Sequence, residues 1–186
     1  MNNFDIDNVL KISKLTSELD LERASALESK LRWMIKEDPS LKPLRTHLRE
    51  LVKAYEQAFW PDEQRITDNQ IAESDKASEL VSYENQFIQK RKSLIKQALE
   101  EHGLNQQDLA GILGHRKSYM SELINGVRPF SMNDLVILNR LLKIKFDNLI
   151  LATIQDEVAI HLKDVLMRLN KPDLKLEEPR LDLVSA

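Results

Sequence analysis

Covalent chemistry has little to work with in this chain. Cysteine is absent, which removes a thiolate nucleophile, a thiolate metal site and a disulfide scaffold together. His47, His102, His115 and His161 are scattered, and no His-Glu-x-x-His, Gly-x-Ser-x-Gly or phosphate-loop pattern occurs. The adjacent carboxylates Glu100/Glu101 and Glu177/Glu178 read as solvated charge or helix-end residues rather than an acid–base pair. The expectation is a protein that is not an enzyme and needs no metal or cofactor. The side chains that stand out instead are hydrogen-bonding ones between positions 105 and 128: Asn105, Gln106, Arg116, Lys117, Ser118, Tyr119, Glu122, Asn125 and Arg128. Their chemistry is non-covalent recognition. Lysine and arginine donate, glutamate accepts, and serine does either.

Helices and turns must position that set, and the glycines mark where. The chain has only 4 glycines, Gly103, Gly111, Gly114 and Gly126. Gly103 is placed to end a helix after Glu101-His102. Asn105 can then cap a second helix, Gln106 to Leu113. Gly114 supplies a sharp turn between two helices crossing steeply. Arg116 or Lys117 opens a third helix that runs to Asn125, and Gly126 closes it. Gly111 falls inside a helix, where it costs about 1 kcal/mol against alanine. Leu109, Ala110 and Leu113 face inward from the second helix, and Met120, Leu123 and Ile124 from the third. Ser131 caps a fourth helix with Leu135, Leu138 and Leu141/Leu142 as its core face, and Phe146 to Ile150 begins a fifth. Five short helices around one core is a plan that reads DNA.

Strand signals are almost missing, and 3.6-residue periodicity runs through the rest of the chain. Asp20 caps a helix carrying Leu27, Leu31 and Met34/Ile35. Pro43 opens the next, with Leu44, Leu48, Leu51/Val52, Tyr55 and Phe59, and the two read as an antiparallel hairpin. Trp33 and Trp60 read as packing residues. Residues 61–78 hold two large apolar residues and read as a linker. A helix resumes at Leu80 and continues through Phe87/Ile88 and Leu94/Ile95 to Ala98/Leu99, with Lys90, Arg91, Lys92 and Lys96 on other faces. Ile154, Val158, Leu162, Val165/Leu166 and Leu169 form a last stripe, followed by a tail with Pro172 and Pro179. The expected domains are therefore 1–60 (helical), 61–78 (linker), 79–152 (DNA-reading) and 153–186 (helix and tail).

Charge divides along the same lines. The formal net charge is −3. Residues 1–86 carry 12 Lys/Arg against 17 Asp/Glu, residues 87–150 carry 10 against 6, and residues 151–186 carry 5 against 7. Basic charge is concentrated where phosphate binding needs it. The first ten residues lack the basic and apolar regions of a signal peptide, and no apolar run reaches the ~18 residues of a membrane helix. A cytoplasmic protein with no membrane partner is expected.

The run Leu104-Asn105-Gln106-Gln107-Asp108-Leu109-Ala110-Gly111-Ile112-Leu113-Gly114, followed by Ser121-Glu122-Leu123-Ile124-Asn125-Gly126-Val127-Arg128-Pro129, resembles the helix-turn-helix of Cro/C1-type (XRE) repressors. Within that family, residues 113–126 are most similar to HigA-type antitoxins. Glu37-Asp38-Pro39, Pro43-Leu44, Leu51 to Glu56 and Trp60-Pro61 are similar to the helical region that precedes the DNA-binding domain there. The resemblance covers roughly residues 30–150. It implies an all-α chain: an N-terminal helical hairpin, a five-helix, lambda repressor-like DNA-binding domain and a C-terminal helix. It further implies a homodimer on palindromic operator DNA, with half-sites about 10 bp apart. An antitoxin of this kind represses its own operon and neutralises a HigB-like toxin, a small basic ribonuclease that cuts mRNA. A toxin-independent repressor, prophage-derived, is the alternative. In this fold the third helix enters the major groove. Lys117, Ser118 and Glu122 are then the base-reading candidates, and Glu122 pairs within the chain if it is not aimed at a base. Asn105, Gln106, Arg116, Tyr119, Asn125 and Arg128 are the phosphate candidates. The Ile154–Leu169 stripe is either the dimer contact or packed on the chain's own core.

Overall fold

A computed structural model describes residues 4, 6–60, 66–154, 156–171 and 173–175, and over these the chain is all-helical, with no strand. Glu177/Glu178, Pro61, Pro172 and Pro179, and with them the last part of the expected tail, lie outside the described residues.

Helix α1 spans Glu18–Met34. Its cap is Ser17, whose hydroxyl accepts from the Asp20 N–H at 3.1 Å, not Asp20 as its spacing suggested. Asp20 faces backward instead and accepts from the Thr16 amide and hydroxyl at 2.9 and 2.7 Å. Helix α2, Lys42–Phe59, carries Pro43 in its first turn as expected. The two helices are antiparallel: Tyr55, late in α2, and Trp60, just past its end, both donate to Glu18 Oε1 at 3.0 Å, while Arg45 donates to Glu28 at 2.8 Å. Burial and the hydrogen bond to Glu18 push the Tyr55 phenol up to about 12. Leu27, Leu31, Leu48, Leu51 and Tyr55 form the core of the pair, closed at one end by Ile6 and Val9 from the N-terminal segment. Trp33 departs from its expected packing role. It is 66% exposed, with the Lys36 ammonium 4.7 Å from the ring centre.

Helix α3 runs from Asp68 to Glu101 without a break. The second half of the expected linker, 68–78, is its opening. A capping box fixes the start: the Thr67 side chain accepts from Gln70 N, and the Gln70 side chain accepts from Thr67 N. Composition misled here because this stretch buries a single small residue and its helix is held by its cap and by α1 rather than by large apolar side chains of its own. Ala77 is buried, and a groove of about 660 Å³ between α1 and α3 is walled by Ser25, Ala26 and Ser29 on one side and Ser78 and Ser82 on the other. Small side chains let two helix backbones approach closely. Arg23 clamps the pair by donating to both Glu84 oxygens, at 3.3 and 2.5 Å. The N-terminal layer is thus the expected α1–α2 hairpin with the first half of α3 laid against it, where a linker was expected.

The far half of α3 belongs to a second core. Ile95, Ala98 and Leu99 pack with Leu109 and Ala110 of α4 (Gln106–Leu113), with Met120, Leu123 and Ile124 of α5 (Lys117–Ile124), and with Leu135, Leu138 and Leu142 of α6 (Met132–Leu142). Leu141 faces out, at 45% exposure, so Leu142 alone carries the last turn of that face. The expected fifth helix is a single 3-10 turn, Phe146–Asn148. Leu149 is fully buried directly after it, and its carbonyl accepts from Arg91 Nη1 at 3.3 Å. That anchoring ends the turn before a helix can propagate. Arg91 lies 5.0 Å from the Phe130 ring centre and 5.7 Å from that of Phe87, and burial pulls its guanidinium down to about 10. A last helix, α7 (Asp156–Arg168), leaves the ends of its stripe open: Ile154, Val158 and Leu169 are 50%, 53% and 64% exposed, while Leu162, Val165 and Leu166 are half-buried.

Candidate nucleic-acid interface

The site is the corner between α4 and α5. Asn105 caps α4, its Oδ1 accepting from Gln107 N at 2.7 Å and Asp108 N at 3.2 Å, while Asp108 accepts from the Asn105 amide at 2.8 Å. Gly114 ends α4 at φ +72, the left-handed conformation that a side chain resists. The chain then crosses to Arg116, the N-cap of α5, which makes no side-chain cap bond. His115 pins this corner from behind: its Nε2 is 2.9 Å from Asp134 Oδ1. Asp134 is buried in the capping box of α6, where its other oxygen accepts from the Ser131 amide and hydroxyl at 3.0 and 2.8 Å. The turn and the fourth helix are therefore held together by one carboxylate.

Arg116, Lys117 and Ser118 are all exposed and follow one another on the first turn of α5. Gln106 and Asn105 are exposed at the start of α4. Two cations and a hydroxyl thus stand open at the start of α5 and two amides at the start of α4, chemistry suited to phosphate oxygens and base-edge acceptors.

The other end of α5 differs from the sequence expectation. Glu122, a base-reading candidate, is only 7% exposed and turned into the protein, where Arg128 Nε donates to its Oε2 at 2.5 Å. It does pair within the chain, but with neither of its basic neighbours Lys117 and Arg116. Helical spacing located the face of Glu122, while the chain's return after Gly126 supplied its partner. The Glu122 carbonyl also accepts from Val127 N and Arg128 N, at 2.9 and 3.3 Å. Arg128 is occupied in turn: beyond Glu122 it donates through Nη1 to Asp7, and its guanidinium lies 5.0 Å from the Tyr119 ring centre. Burial acts against the charge of Arg128, yet the hydrogen bonds to Asp7 and Glu122 outweigh it and hold the group above its ordinary value. Asn125 accepts from Lys92 Nζ at 2.7 Å and donates to the Ser121 carbonyl at 2.9 Å. Tyr119 is half-buried between Arg128 and the His115 ring. Of the nine candidates, five are exposed at the starts of α4 and α5 and four, Tyr119, Glu122, Asn125 and Arg128, are tied into the scaffold.

Three residues of this neighbourhood went unread in the sequence. Asp134 carried a local signal, Ser131 followed by an acid three residues later. Lys92 had none beyond its charge. Asp7 had none at all, since it reaches Arg128 across 121 positions of chain.

Among the described residues no group of His, Asp and Glu is arranged to hold a metal, and no helix is long and apolar enough to cross a membrane. A helix-turn-helix family model matches residues 95–149. The match begins inside α3 and ends at Leu149, so it covers the second core and under a third of the chain. That segment is thus similar to helix-turn-helix domains, and the Cro/C1-type run at residues 104–129 lies inside it. No curated protein and no solved structure matches the chain.

Proposed function

We propose that this protein is a sequence-specific repressor that reads operator DNA through the first turn of α5 and doubles as the antitoxin of a toxin–antitoxin pair. The observation that carries the DNA half is the open rim of Arg116, Lys117 and Ser118 on a helix whose other polar side chains are engaged internally. Lys117 and Ser118 meet base edges, and Arg116, Gln106 and Asn105 meet phosphate. The protein binds as a dimer, and the exposed Ile154, Val158 and Leu169 of the α7 stripe support that reading over packing on its own core.

The antitoxin half rests on the acidic N-terminal layer and on the HigA-type pattern of residues 113–126. A layer with 17 acidic against 12 basic residues suits a small basic ribonuclease of the HigB kind. Co-expression with the neighbouring small open reading frame tests it. Rescue of growth together with a stable co-purifying complex is the expected outcome. No toxicity and no complex leaves a toxin-independent repressor, whose operator is then mapped with Lys117→Ala as the control.

A further inference from the structure

The N-terminal segment is bound to the loop that follows the DNA-reading helix. Val127, 1% exposed, packs in the N-terminal core with Ile6, Val9 and Leu15, not in the core of its own domain. One residue on, Arg128 spends Nε on Glu122 and Nη1 on Asp7. The two carboxylates differ in setting. The Glu122 side chain is 9% exposed and lies on the same helix-turn-helix unit, whereas the Asp7 side chain is 62% exposed and arrives from the other end of the chain. Glu122 orients the guanidinium; Asp7 covers the part that faces outward.

We infer that Asp7 is an internal competitor of DNA, occupying on Arg128 the place of a backbone phosphate. This rests on the DNA-binding reading above. A phosphate and an aspartate offer a guanidinium the same charge-assisted acceptor, so the exchange keeps Arg128 satisfied while Glu122 stays in place. The carboxylate withholds one phosphate contact until the N-terminal segment moves away. Linkage makes the effect reciprocal: whatever lifts the segment tightens DNA binding, and bound DNA loosens the segment.

The test is fluorescence anisotropy of the full-length protein on a short random-sequence duplex across a salt series. Asp7→Asn is expected to bind several-fold more tightly than the parent. The slope of log affinity against log salt should stay close to the parent's, because DNA displaces Asp7 from the parent and both complexes then hold the same phosphate contacts. In an Arg128→Gln background, Asp7→Asn should change neither quantity. Unchanged affinity in Asp7→Asn overturns the competitor, and so does a gain that persists without Arg128, since that is a general effect of charge. Failure of the parent protein to bind any duplex instead refutes the DNA-binding reading itself. Should Arg128→Gln not fold, amide exchange of the parent decides. Saturating DNA is expected to speed exchange at Lys11 and Ile12, whose N–H groups close the turn after Asp7 by donating to Asn8 and Val9 carbonyls. Exchange that DNA leaves unchanged there overturns the proposal.

Discussion

The two ends of α5 carry similar polar side chains and use them oppositely. At the first turn, Arg116, Lys117 and Ser118 stand in solvent. At the last turn and the loop beyond it, Glu122, Asn125 and Arg128 are held by Arg128, Lys92 and Asp7 in a mesh that reaches α3 and the N-terminal segment. The difference teaches that a readout helix needs one end fixed for the other to be available. A groove-reading side chain gains specificity only if its helix arrives in a single orientation, and the buried ion pair and the close turn at Gly126 supply that orientation.

The strongest way to break this comparison is at the fixed end. Glu122→Ala strands Arg128 with half its partners gone and should cost about 3 kcal/mol in urea unfolding; a loss near zero would show that the mesh is ornamental. Gly126→Ala attacks the same end through the backbone. At φ +68 an added Cβ would fall 2.7 Å from the Ile88 side chain, so strain and overpacking together should cost about 2 kcal/mol. Lys117→Ala probes the open end: its melting temperature should match the parent, while operator binding weakens by roughly 1–3 kcal/mol. Weaker folding with unchanged binding would invert the assignment of the two ends. The smallest effect is a gain. Gly111 sits inside α4, and a Cβ added there would meet nothing within 4 Å, so Gly111→Ala should raise stability by about 1 kcal/mol with DNA binding intact.

The helix-turn-helix was legible because its rules are local. Asn105 with Asp108, Ser131 with Asp134, and the glycines at 114 and 126 are each decided within a few residues, and the structure places caps and left-handed turns at those positions. The site was half legible. Helical spacing put Lys117, Ser118 and Glu122 near one face, but spacing carries no sign for inside or outside when the residue is charged, and Glu122 went in. The start of α3 was illegible for a related reason. Only Ala77 of this stretch is buried, so it has linker composition until another helix is there to pack against.

The sequence by itself determined that this protein is helical, that it turns sharply at Gly114, and that a cationic first turn follows. These features depend on capping, φ and periodicity, which act over less than two helical turns. Only the tertiary structure decided that α3 runs as one rod from the flank of α1 into the second core, that Val127 leaves its own domain, and that Asp7 meets Arg128. Such contacts form between residues far apart in the chain, and their free energy comes from burial and charge pairing that no local pattern records.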